Sequence, residues 1–150
     1  MCESCNLSTD SYNIFQQNCT HLYLMKNTGS KKMKTVVNAD NSEIEKAKSH
    51  IIVEIIEYIP NSVVSKTIIK KITGNVSVMS FDTGEGLSEK TSPFDTFVQI
   101  IEGKANIVIN KVSSLLLSGQ GIIIPAHSSS LIMPNGRFKM ISTVIKSGYE

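Results

Sequence analysis

The side chains that could do chemistry in this chain are few and unevenly placed. Cys2-Glu3-Ser4-Cys5 matches C-x-x-C, and Cys19 and His21 follow, so four donors of the kind that hold zinc lie within the first 21 residues. Structural zinc sites usually present two paired knuckles around a turn, whereas Cys19-Thr20-His21 has no glycine nearby; a polar tail is the plainer reading. His127, just after Pro125, has the titration range of a general base but would need a carboxylate to orient it, and a surface turn is its default place. Ser128-Ser129-Ser130 is either a row of hydroxyl donors on a pocket floor or a polar loop before Leu131-Ile132-Met133, the loop being favoured. Met79, Phe81, Phe94, Phe97, Met133 and Met140 read as core or interface residues rather than a cofactor box.

The elements that must position these groups belong to one ordinary soluble domain. A chain of 150 residues, 41% apolar and 19% charged, buries about two-thirds of its unfolded surface and needs neither disulfides nor a structural metal to fold. With 15 basic against 13 acidic residues and no basic run longer than two, nothing is built to neutralise many phosphates, so no nucleic-acid partner is expected. No apolar stretch approaches the roughly 18 to 20 residues of a membrane span, so no membrane partner is expected either. Three cysteines confined to one polar end cannot staple a core, which points to a reducing compartment and a cytoplasmic protein. No basic segment precedes an apolar stretch of signal-peptide length, Leu22-Tyr23-Leu24-Met25 being too short.

Two compositional zones divide the chain. Residues 1–39, rich in Asn, Ser, Thr, Cys and Lys, are expected to form a disordered tail, and a start at Met33 would spare the rest. Residues 40–150 are expected to form the folded domain. Asp40-Asn41-Ser42-Glu43 resembles a helix start and predicts a short helix over 41–48; Pro60-Asn61-Ser62 then breaks the chain. Eight β-branched runs follow, at 63–70, 76–81, 96–102, 105–110, 114–117, 122–124, 130–133 and 139–146, punctuated by glycine, asparagine and proline turns. That spacing predicts a β-sandwich or closed barrel, and without intervening helices a parallel α/β sheet is disfavoured. Consecutive apolar residues in Leu115-Leu116-Leu117 and Ile122-Ile123-Ile124 imply strands covered on both faces, by the 41–59 segment or by a second subunit.

Two stretches carry a family resemblance. Gly84-Glu-Gly86-Leu-Ser-Glu-Lys90-Thr-Ser92-Pro-Phe-Asp95-Thr96, continuing to Glu102-Gly103, resembles the first motif of the cupins, and Gly119-Gln-Gly-Ile-Ile-Ile-Pro125-Ala-His127-Ser-Ser-Ser130 resembles the second. The resemblance covers roughly residues 62–146 and is closest to small single-domain cupins, which implies an all-β jelly-roll barrel and a homodimer. The first motif reads Gly, five residues, His-x-His, three or four residues, Glu, six residues, Gly. Counted from Gly84 and back from Gly103, its two histidines fall on Lys90 and Ser92 and its glutamate on Thr96. In the second motif the ligand histidine falls on Ser130, while the motif's glycine falls on His127.

All four positions that the resemblance assigns to a metal have therefore changed, whereas Gly84, Gly103, Gly119 and Pro125 are kept. An ammonium repels a dication and neutral hydroxyls are weak ligands, so no metal and no cofactor are expected. The expectation is a metal-free barrel that binds a small anionic or polar metabolite, with Lys90, Ser92, Thr96, Ser130 and His127 as pocket candidates and no assigned catalytic residue. Lys90 could hold a carboxylate, phosphate or enolate where a metal sits in relatives, or snorkel to water beside Glu89 or Asp95. Two alternatives stand beside this one: a metal-independent isomerase or epimerase using Lys90 or His127, and a purely structural barrel. Strand alternation sets Gln99 on the opposite face from Thr96, outside the pocket.

Overall fold

Short β-branched runs have two faces to bury and two edges to pair, and this chain satisfies both by folding back along its own length. A computed structural model describes residues 37–40 and 42–146. Cys2, Cys5, Cys19 and His21, with the expected tail as far as residue 36, lie outside the described residues. The strands are β1 (Val37–Asp40), β2 (Val63–Lys71), β3 (Gly74–Phe81), β4 (Leu87–Thr91), β5 (Asp95–Glu102), β6 (Lys104–Ile109), β7 (Val112–Leu117), β8 (Gly121–Ile124), β9 (Ser129–Met133) and β10 (Phe138–Ile145). Every one of the eight expected runs is a strand; β1 and β4 are additional, and β1 begins within the segment expected to be a tail, at its last positions 37–39.

Pairing is nested. β6 pairs β7 across the Asn110-Lys111 turn, both of whose residues have positive φ as a two-residue hairpin turn requires. Outward from that hairpin β5 pairs β8, β4 pairs β9 and β3 pairs β10, all antiparallel. The doubled ribbon wraps into two sheets, β1-β2-β3-β10-β5-β8 and β4-β9-β6-β7, which is a jelly roll extended by two strands. Gly103 turns the chain from one sheet to the other at φ 78°, where an added Cβ would lie 2.5 Å from the Arg137 carbonyl oxygen. A side chain there would be both strained and obstructed.

Inward residues of both sheets make the core. Val63, Phe81, Val98, Ile100, Phe138 and Met140 from the larger sheet meet Ala105, Ile107, Leu116 and Ile132 from the smaller one. Phe81 and Phe138, cross-strand partners on β3 and β10, stack with ring centroids 4.3 Å apart. Both are fully buried and close one end of the interior.

The helix expected over 41–48 is absent from the described residues 42–48, which form bends and turns; the nearest helical element is a single turn at Ile52–Glu54. Ala47 takes φ 59°, which a right-handed helix cannot accommodate. The acidic residue read as part of a helix start serves the sheet instead. Glu43 Oε1 accepts the Lys70 backbone N–H at 2.8 Å, and that bond, with Lys46 and Lys71 nearby, holds its carboxyl below the usual range.

Beyond Glu43 the segment straps the outer face of the larger sheet. Ile52, Ile55 and Ile56 pack on Val64, Ile68, Val78 and Ile101, so the 41–59 segment does supply cover. Leu115, Leu117 and Ile123 lie elsewhere and stay half or more exposed.

Polar bonds fix the strap beside the Phe81–Phe138 end. Ser80 Oγ donates to the Glu57 carbonyl at 2.7 Å and Lys139 Nζ to the Val53 carbonyl at 2.7 Å. Tyr58 donates to Glu102 at 2.8 Å beneath the Lys139 ammonium, which lies 4.8 Å from its ring centroid. Burial, reinforced by Glu102, pushes the Tyr58 hydroxyl pKa up. Asp82 accepts the Asn61 backbone N–H and the Arg137 Nε–H, each at 2.7 Å, and these bonds hold its carboxyl down to about 2.

Candidate functional site

Away from the phenylalanine floor the interior changes character. Along β10 the inward positions run Phe138, Met140, Ser142, Val144; along β5 they run Ile100, Val98, Thr96. On the smaller sheet Ile132 pairs Leu87 and, nearer the opening, Ser130 pairs Lys90 across a bulge in β4. That bulge lets Leu87 and Lys90, three positions apart, both face inward.

These residues line a cavity of about 120 Å³. Its lower wall is Met79, Val98, Ile132 and Met140; its upper tier is Lys90, Ser92, Thr96, Ser130 and Ser142. Four of the five pocket candidates, Lys90, Ser92, Thr96 and Ser130, thus line one cavity, contributed by both sheets. His127 does not. It is exposed at φ 62°, and its backbone N–H donates to the Ser92 carbonyl at 2.7 Å, so it shapes the turn carrying Ser92 while its ring stays outside. Gln99 also lies outside the lining, as strand alternation predicts. Ser88 and Ser142 line the cavity without having been expected to, because neither falls at a motif position.

Hydrogen bonding divides the upper tier. Ser92 Oγ is engaged locally, accepting the Phe94 N–H at 3.1 Å. Thr96, Ser130 and Ser142 make no side-chain hydrogen bond among the described residues. Ser130 is nonetheless buried, at 7% exposure. Hydroxyls held in a largely apolar enclosure with unused donors and acceptors are positioned for a guest or for water.

Lys90 is the one charged residue in the lining. The nearby carboxylates in sequence are occupied elsewhere: Glu89 accepts from Ser129 Oγ, and Asp95 Oδ1 accepts the Ala126 N–H at 2.8 Å. Lys90 itself is exposed at the mouth and forms no ion pair among the described residues.

Comparison with solved structures places this geometry. The chain is similar to a conserved protein of unknown function from Streptococcus pyogenes, with 25% identity, a TM-score of 0.66, and 75% of this chain and 96% of that one covered. A cupin superfamily protein from Desulfitobacterium hafniense is 27% identical at a TM-score of 0.65 over 71% of this chain and 98% of that one. A cupin 2 conserved barrel domain protein from Leptotrichia buccalis is 25% identical at a TM-score of 0.61, covering 63% of this chain and 46% of that one. The chain has the fold of a small cupin. No family model and no curated protein matches its sequence.

Cupin motifs offer this barrel a place for a metal, and the residues present do not suit one. An ammonium and three neutral hydroxyls make a poor donor set for a dication, which wants imidazole, thiolate or carboxylate. Among the described residues no group of three or more His, Cys, Asp or Glu could hold a metal ion. The cavity also lacks an imidazole, thiol or carboxylate to move a proton, leaving Lys90 as the only titratable group in its lining. No helix among the described residues is long and apolar enough to cross a membrane.

Proposed function

We propose that this cupin-fold chain is a metal-free binding protein for a small anionic or polar metabolite, with Lys90 supplying charge where the cupin motifs place a metal ligand. The observation that supports it most is the convergence of Lys90, Thr96 and Ser130, three of the four substituted motif positions, on one cavity with their polar groups unused. Binding rather than turnover is favoured because the cavity brings no second titratable group to Lys90. A thermal-shift screen of small anionic and polar metabolites against the full chain, with and without chelator, tests the reading. At least one compound is expected to raise the melting temperature by several degrees, since a ligand at about 100 times its Kd adds about 2.7 kcal/mol. The shift should survive chelator and vanish in Lys90→Met; a shift that chelator abolishes, or none at all, refutes the proposal.

We further propose that the working form is a homodimer. Phe97 on β5 and Ile123 on β8 are register partners on the outer face of the larger sheet, 40% and 63% exposed. Gly121 lets the Phe97 ring lie flat there, its Cβ position falling 2.7 Å from that ring. A second copy is the simplest cover for such a patch. Sedimentation velocity is expected to give a dimer for the native chain and a monomer for Ile123→Glu; a native monomer at micromolar concentration would remove this part of the reading.

A further inference from the structure

The cavity is polar only at one end, and that asymmetry carries an inference about the class of ligand. Resting on the binding role proposed above, we infer that the ligand is a short-chain monocarboxylate, its carboxylate at the mouth and its apolar tail directed at the methionine wall.

Charge sets the head group. The lining holds one lysine and no carboxylate, and so offers a single positive charge. Thr96 and Ser130 add neutral donors; neither arginine nor histidine is in the lining. A monoanion is matched by this arrangement, whereas a phosphate dianion would bring a second charge with nothing to balance it. A carboxylate accepts several hydrogen bonds at once, which suits one ammonium flanked by hydroxyls.

Depth and wall chemistry set the tail. Below the hydroxyls the lining is Met79, Val98, Ile132 and Met140, and the stacked phenylalanines close the interior beyond them. A sugar or an amino acid would leave its own hydroxyls or ammonium without partners against that wall. At about 120 Å³ for head group and tail together, the cavity takes a short tail and not a long one. Methionine, unbranched and polarizable, adapts to linear and branched tails alike.

The test is a titration of the full chain, labelled with carbon-13 at methionine methyls, with propanoate, butanoate, pentanoate, hexanoate, dodecanoate, hexanamide, inorganic phosphate and glucose. Met79 and Met140 report on the cavity, and exposed Met133 on the outer surface serves as the internal reference. The Met79 and Met140 resonances are expected to move with the acids while Met133 stays. Affinity should rise about fourfold per methylene from propanoate to pentanoate, the equivalent of about 0.8 kcal/mol each, and gain nothing by dodecanoate. Hexanamide should bind at least tenfold more weakly than hexanoate, and Lys90→Met or Lys90→Gln should erase that difference while leaving the Met133 resonance native. If phosphate, glucose or hexanamide moves Met79 and Met140 at lower concentration than any acid, the ligand class is wrong and the binding role stands. If no probe moves them, the ligand class is wrong, and the binding role falls with it when the metabolite screen is also blank.

Discussion

The two ends of this barrel's interior are built from the same strands and differ in what those strands point inward. At the closed end Phe81, Ile100, Ile107 and Phe138 are fully buried, and Asp82, Arg137 and Lys139, next to those phenylalanines in sequence, fasten the strap from outside. At the open end the inward positions are Lys90, Thr96, Ser130 and Ser142, whose polar groups have no partners among the described residues. A few steps along β5 and β10 therefore separate a region that holds the fold from one free to hold something else. Stability and binding can be altered independently only if that division is real.

The largest test falls on the closed end. Phe138→Ala removes a stacked ring from a fully buried site and is expected to cost about 3–5 kcal/mol in equilibrium denaturation. A loss below about 1 kcal/mol would mean that the phenylalanine floor does not organise the barrel, and the comparison would collapse.

A smaller effect, confined to acid, should come from the strap. Asp82 is held from an ordinary 3.8 down to about 2 by the Asn61 N–H and then by Arg137. A carboxyl with a depressed folded pKa contributes stability that is fully present above its unfolded value and is lost as pH falls through the folded one. The stability difference between the native chain and Asp82→Asn should be constant above about pH 5 and shrink between about pH 4 and 2. If the difference does not change over that window, the Asp82–Arg137–Asn61 contacts do not fix the strap in solution.

The same division decides what could be read from the sequence. The eight strands were legible because their β-branched rows and turns follow from a buried inner face, and the jelly roll from motif glycines and Pro125. β4 was not legible for a physical reason: its five residues hold one apolar side chain, Leu87, because the rest of the strand borders the cavity mouth or solvent. The strand carrying the site is thus the one without a hydrophobic signature. β1 is a four-residue edge strand paired in parallel with β2, a long-range contact that no local pattern announces. The helix expected over 41–48 fails because Glu43 bonds a strand N–H rather than a helix start, and only tertiary placement makes that choice. Within the cavity, motif spacing named Lys90, Ser92, Thr96 and Ser130 as lining candidates, but it could not reach Ser142, whose inward direction comes from the β10 register. His127, displaced from the ligand position, took a turn conformation that keeps its ring out.

The smallest stability effect is expected where the comparison is sharpest. Ser130 is buried, yet its hydroxyl has no partner among the described residues. Replacing an engaged buried hydroxyl leaves its partner unsatisfied and costs about 1–3 kcal/mol, but an unengaged one strands nothing. Ser130→Val should therefore change stability by less than about 1 kcal/mol, with a gain as natural as a loss because the added methyl enters free space. The same substitution removes a donor from the upper tier and narrows the opening beside Lys90, so any ligand-induced rise in melting temperature should fall by at least half. Denaturation and thermal-shift measurements on one sample separate the two responses. Equal losses in both would show that Ser130 belongs to the scaffold, and the boundary between holding and binding would then have to be drawn nearer the mouth, at Lys90 and Thr96.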